Sequence, residues 1–289
     1  MKRPSAFEWA FSLPALLCGA ALAGGFVPDY AGRAVWREST VELNDYMAYE
    51  PVRQADGTVR PRLLPSEKVA VFRKMPAFKL ENDALMLSVV PELGGRIWRV
   101  YDKLNRRELV YHNNASKTAD GLLPGVVCAG GIAFDAGCGE PMQPVAGSCQ
   151  TNADGSASCW LSPLRRDGGP SWRAEVRLAP SGARFSLRVE SAGGRTPTVT
   201  TFVHARERPV VSRGGASGIC GCWWEQAGFG LVARGAPEDA AEPVVAECAD
   251  GLASAFSDYD GPFFSISQAS SRVEWRLAAS RGEFTEMTK

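Results

Sequence analysis

Apolar and polar residues alternate with a period of two along most of this chain. Trp172, Ala174, Val176 and Leu178 interleave with Arg173, Glu175 and Arg177. Phe185, Leu187 and Val189 interleave with Arg184, Ser186 and Arg188, and Val273, Trp275 and Leu277 with Arg272, Glu274 and Arg276. Successive strand side chains point to opposite faces, so each run predicts an antiparallel strand with one face buried. Ala55-Asp56-Gly57, Asp167-Gly168-Gly169-Pro170, Pro180-Ser181-Gly182 and Ala192-Gly193-Gly194 separate the runs with residues that favour turns. Outside the N-terminal region no stretch beyond about ten residues carries a 3.6-residue apolar period. The pattern predicts one all-β domain of many short strands, a sandwich or barrel. Arg53–Pro65 and Gly235–Glu242 read as surface loops.

The most informative stretch is Glu81–Asn114. It reads as a strand (Ala84–Val90), a Pro-Glu-Leu-Gly-Gly corner, a second strand (Arg96–Tyr101), an Asp-Lys-Leu-Asn turn and a third strand (Glu108–His112). Gly94-Gly95 allow a bend that a Cβ would resist, and Asp102 and Asn105 supply turn chemistry.

Composition narrows the function classes. Thirty-two basic residues balance 32 acidic ones, so no global field points to nucleic acid. The chain has no P-loop, no dinucleotide-type glycine-rich turn, no HExxH and no Gly-x-Ser-x-Gly elbow, so no cofactor is expected.

Met1-Lys2-Arg3, an apolar stretch from Trp9 to Val27 and Ala21-Leu22-Ala23 describe an export signal over residues 1–23. The mature domain is then residues 24–289, placed in the periplasm or outside the cell. An uncleaved membrane anchor is the competing reading, because the run approaches the ~20 residues that span a bilayer. Cys18 leaves with a cleaved signal, and seven of the eight cysteines remain. Cys149 and Cys159 flank a hairpin-like turn symmetrically and are the expected disulfide in an oxidising compartment. Cys220-Gly-Cys222 lacks the usual spacer and a neighbouring His for zinc, so no metal is expected.

The order of features in Glu81–Asn114 resembles the opening of galactose mutarotase-like (aldose 1-epimerase-like) domains, nearest a bacterial branch with a PELGGRI…YDK motif. Trp36–Glu50, Gly130-Gly131-Ile132-Ala133-Phe134-Asp135, the Asn152–Ser156 and Ser171–Val176 hairpins and Asp258–Gln268 follow in the order of that branch. The resemblance implies a large antiparallel β super-sandwich that binds a mono- or oligosaccharide in a shallow cleft, with the glycine bend at its rim.

In mutarotases a late-strand glutamate takes the proton from the anomeric hydroxyl and a histidine protonates the ring oxygen. Here Ser265 stands where that glutamate is expected, and Ala133 replaces an acidic residue. A hydroxyl without an activating partner is no base near neutral pH. The resemblance therefore implies a carbohydrate-binding protein without standard epimerase chemistry.

The candidate ligand-contacting residues are Arg96, His112, Asp135, His204, Trp224 and Glu225. Arg96 offers a fork of donors to hydroxyls or a carboxylate, and an outward ion-paired arginine is the alternative. His112 and His204 are the chain's two histidines, and each is otherwise a strand-end or satisfied core residue. Of Trp223 and Trp224, alternation places one in the core and one near the cleft, where an indole face suits a pyranose. Asp135, Glu140, Asp258 and Asp260 are otherwise turn carboxylates. Two further functions stay open. One is an active epimerase, lyase or glycosidase with His204 as acid and Glu225 or Asp135 as base. The other is a structural domain of the cell envelope.

Overall fold

The computed structural model describes residues 30–45, 47–53, 59–65, 71–112, 115–118, 126–127, 130–136, 144–164, 172–191, 196–204, 208–214, 218–247 and 263–289. The expected signal segment, Cys18, Cys128, Cys138, Cys248, Glu140, Asp258 and Asp260 lie outside them. Among the described residues no helix is long and apolar enough to cross a membrane.

The strands of the described residues form two large sheets, and nearly all pairs are antiparallel. The first, eleven-stranded sheet has the order β19 (Val244–Glu247), β20 (Phe263–Ala269), β15 (Thr198–His204), β10 (Ile132–Asp135), β6 (Arg96–Asp102), β5 (Leu85–Val90), β4 (Val71–Glu81), β1 (Val35–Asp45), β8 (Ala115–Thr118) and β9 (Val126–Val127), with β7 (Arg107–Glu108) pairing to β6. The eight-stranded sheet runs β11 (Val145–Thr151), β12 (Ala157–Pro163), β13 (Trp172–Leu178), β14 (Arg184–Ser191), β21 (Arg272–Ala278), β18 (Phe229–Gly235), β17 (Ile219–Trp224) and β16 (Val210–Arg213). The fold class is the expected one, an all-β sandwich.

The core lies between these sheets, because only there can both apolar faces leave water together. Leu80, Leu87, Val89, Ile97, Val100, Ile132, Val199, Val203 and Ile266 from the larger sheet meet Leu161, Val176, Phe185, Leu187, Val273 and Trp275 from the smaller. Phe134 meets Trp172 edge-on across the gap at 5.3 Å. The buried Trp275 indole donates to Thr201 Oγ1 at 3.3 Å, so its N–H has a partner inside the core.

The β5–β6 corner forms as the sequence predicts. Gly94 and Gly95 both take positive φ, +73° and +76°, a region other residues avoid. A Cβ on Gly95 would stand 2.7 Å from Leu161 Cδ1, so the bend is pressed against the smaller sheet. The bend is therefore a packing joint between the two sheets. At the next turn Asp102 accepts from the backbone N–H of Leu104 and Asn105 at 3.0 and 3.1 Å.

Arg53–Pro65 is not a plain loop. Met47–Arg53 (β2) and Val59–Pro65 (β3) pair as a two-stranded ribbon with Pro51 opposite Pro61. A ribbon has only edges, so prolines that cannot donate to a ladder are tolerated there. A short helix, α1 (Arg281–Met287), begins at Ser280, whose hydroxyl accepts from Glu283 N. Its Phe284 packs with Ile219, Trp223, Val232 and Ala278 on the outer face of the smaller sheet.

Candidate functional site

Each strand of the larger sheet has a second face, turned away from the smaller sheet. The register identifies its residues. Phe78 pairs with Val89 on the core side, so Lys79 and Ser88 share the outer side. Val90 pairs with Arg96 on that outer side. A β-bulge between Ser88 and Val89 leaves Trp98 as the extra residue of β6. Ile97 accordingly enters the main core, whereas Trp98 joins Val41, Met75, Ala77, Val90 and Leu93 in a second apolar cluster.

Arg96 and His112 come together on this outer side. Arg96 is 5 % exposed, and its Nη1 donates to Gly130 O at 2.7 Å. Gly130 is in turn the bridge partner of His112, whose ring centre lies 5.7 Å from that of Trp98 at 60°. The guanidinium of Arg96 is thus a buried cation fixed in orientation by a backbone carbonyl.

The neighbouring strands add a mostly neutral surface. Ile132 and Phe134 of β10, Val199 and Val203 of β15 and Ile266 of β20 point into the core. The alternation then places Ala133, Asp135, Thr200, Phe202, Ser265 and Ser267 outside. Ala133 sits opposite Thr200, and Phe202 opposite Ser265. Thr200 Oγ1 and Ser267 Oγ hydrogen-bond at 3.0 Å. Asp135 is exposed at the end of β10, opposite Thr198. His204 ends β15 opposite Phe263, and its side chain lies outside the described residues.

Trp224 and Glu225 do not belong to this face. Trp224 is 5 % exposed and stacks on Phe229 at 4.7 Å inside the main core, with the Arg107 guanidinium 4.0 Å above that phenyl ring. Trp223 is buried as well, against Phe284. The expectation of one outward tryptophan fails because α1 covers the outer side of β17, which leaves that strand buried on both faces. Glu225 is exposed in the following turn and pairs with Arg281 Nη1 at 3.3 Å.

Cys149 and Cys159 stand directly opposite each other in the β11–β12 hairpin, as the sequence expects. The two sulfurs are unbridged in this structure. A hydrogen bond with Cys149, then burial, raises the Cys159 pKa. Cys220 and Cys222 lie in the main core. Burial pushes the Cys220 thiol up to about 11 and Cys222 higher still, the character of inert packing residues.

Sequence reasoning missed a charged group on the same outer face. Arg37 pairs with Lys79, Lys79 with Ser88 and Ser88 with Arg99, a row across four adjacent strands. Arg37 meets Glu81 at 3.3 Å, and Lys103 meets Glu81 at 3.1 Å. Burial pushes the Glu81 carboxyl up, but hydrogen bonds from Tyr30 and Lys103 outweigh it and hold the pKa below its ordinary value. Arg99 pairs with Glu108. Even so, burial keeps the Glu108 pKa raised, and its Oε2 has no hydrogen-bond partner among the described residues. Lys79 is pushed the other way, its pKa lowered first by burial and then by the Arg37 charge. The available signal was the alternation of Lys79 with Leu80 and of Arg99 with Val100, which puts each charge on the face opposite the core.

A family model described as a domain of unknown function, DUF5107, matches residues 66–190, less than half of the chain. Among solved structures, a TPR-domain containing protein from Parabacteroides distasonis ATCC 8503 is similar at a TM-score of 0.64 and 14 % identity, over 85 % of this chain and 55 % of that one. This chain thus spans about half of that protein's length. At such identity the likeness shows the fold alone. Slr1438 protein from Synechocystis sp. PCC 6803 (10 % identity, 71 % of this chain and 96 % of that one) and HI1317 (7 % identity, 80 % and 100 %) follow, each at a TM-score of 0.46, too loose to carry more.

Proposed function

We propose that this chain is an exported, mutarotase-like carbohydrate-binding protein that holds a mono- or oligosaccharide on the outer face of its larger sheet, without standard epimerase chemistry. The observation that carries the reading is the convergence of Arg96 and His112 on Gly130, beside the Trp98 cluster. Arg96 supplies a fixed positive charge beneath the face, and Phe202, Thr200 and Ser267 extend it with an aromatic ring and hydroxyls, a mixture suited to a sugar's C–H and O–H faces. Ser265 and Ala133 share that face, so the two positions where the resemblance expects acids offer a hydroxyl and a methyl group. Export rests on the basic and then apolar N-terminal pattern.

A glycan array followed by calorimetry on the best binder tests the reading. Binding that weakens about tenfold or more in Arg96→Lys, which keeps the charge and loses the fork, supports it. A folded protein that binds no glycan, or an Arg96→Lys variant that binds as well as the parent, overturns it.

One observation favours a second reading, an active sugar-converting enzyme. Glu108 combines a raised pKa with a carboxyl oxygen that has no hydrogen-bond partner among the described residues, the character of a proton-transfer group. In that reading Glu108 takes the acid–base role first considered for Glu225 or Asp135. Turnover of a bound glycan that is lost in Glu108→Gln supports it, and turnover unchanged in that variant removes it.

A further inference from the structure

We infer that the row Arg37–Lys79–Ser88–Arg99 is a subsite for the anionic groups, carboxylate or sulfate, of an acidic oligosaccharide. This inference rests on the saccharide reading and names its substrate class. Three observations carry it.

The first is register. Arg37 and Lys79 are directly opposed, an arrangement in which like charges repel and which a sheet selected for stability alone avoids. The second is charge balance. Arg37, Lys79, Arg99 and Lys103 gather around two carboxylates, Glu81 and Glu108. Glu81 is shared by Arg37 and Lys103, Arg99 takes Glu108, and Lys79 has no carboxylate within ion-pair range among the described residues. This partly buried ammonium feels Arg37 and Arg99, and only the attraction of Glu81, beyond ion-pair range, offsets them. Burial and the neighbouring cations already disfavour its charged form, and a bound anion would relieve that cost.

The third observation is extent and continuity. The row crosses three strand spacings, about 14 Å, which suits repeated charges on an extended chain better than one inorganic ion. It lies on the same face as Arg96, and Arg96 and Arg99 are about 10 Å apart along β6 with Trp98 between them.

Calorimetry at low salt tests the proposal with three probes: trigalacturonate, a neutral galactotriose, and sodium sulfate. The parent protein and Lys79→Met are compared, with folding of the variant checked by circular dichroism. The acidic trisaccharide is expected to bind about tenfold to a hundredfold tighter than the neutral one, the range for hydrogen bonds to charged groups. That preference should vanish in Lys79→Met while the neutral affinity holds. Equal binding of the two trisaccharides, or a preference that survives in Lys79→Met, overturns the subsite and leaves the saccharide reading standing. If neither trisaccharide binds, the glycan array decides the saccharide reading, and sulfate decides the row. Sulfate binding lost in Lys79→Met upholds an anion site, and no sulfate binding overturns it.

Discussion

The imidazole of His112 packs against the indole of Trp98, ring centres 5.7 Å apart, on the side of the larger sheet that faces away from the smaller one. A histidine from the segment after β7 thereby reaches the strand that carries Arg96. The contact depends on the β-bulge, which turns Trp98 out of the main core.

Trp98 is 1 % exposed and anchors the outer apolar cluster. Trp98→Ala should cost about 3–5 kcal/mol, the usual range for emptying a buried tryptophan site. Urea unfolding measures this, and a change well under 1 kcal/mol would show that the cluster collapses around the gap. Trp224→Ala should cost a similar amount and leave glycan affinity unchanged, because Trp224 belongs to the main core.

Lys79 predicts an opposition between stability and binding. Its folded pKa lies below the unfolded value, so at intermediate pH the unfolded chain binds more protons and stability rises with pH through that window. The charge therefore works against folding at neutral pH. Lys79→Met should melt higher than the parent at pH 7, and the gap should narrow as the pH rises toward 10.5, the ordinary lysine value. A variant that melts lower at pH 7 contradicts the assignment.

Glu108 predicts the opposite trend. Its folded pKa is raised, so its contribution is fully present below the unfolded pKa of about 4.5 and is lost as the pH rises through the folded value. Compared with Glu108→Gln, the parent should lose relative stability between mildly acidic and neutral pH. Melting curves of both proteins across that range decide it, and parallel curves would remove the raised pKa from the account.

Much of the fold was legible in the sequence, and the reasons are local. Period-two alternation placed strands over Trp172–Leu178, Arg184–Val189 and Arg272–Leu277, because each has one core face and one polar face, and the observed strands run at most two residues further. Asp102 and the two glycines announced their turns through chemistry that acts over a few residues. Trp224 misled because alternation reports two faces but not what covers the second one, here the helix of Arg281–Met287. Alternation put Lys79 and Arg99 on the face opposite the core, but their assembly with Arg37 into one row was not legible, for a related reason. Its members are separated by strand pairing that joins distant segments, which no local pattern specifies.

The opposed thiols make a further prediction. Mild oxidation should join Cys149 to Cys159, which already face each other across the hairpin, with a mass loss of two hydrogens that Cys159→Ser prevents. The bridge should stabilise the domain by about 2–4 kcal/mol. Peptide mapping that finds either sulfur joined elsewhere contradicts this.

Hydrogen exchange of the whole chain, with and without the tightest glycan from the array, tests the central claim most directly. The account predicts slowed exchange in Arg96–Asp102, Ile132–Asp135 and Thr198–His204, the strands that present the outer face, with the smaller sheet unchanged. Protection confined to the turn at Glu225–Gly228 or to the smaller sheet would contradict it, because the saccharide would then lie where neither Arg96 nor His112 can reach it.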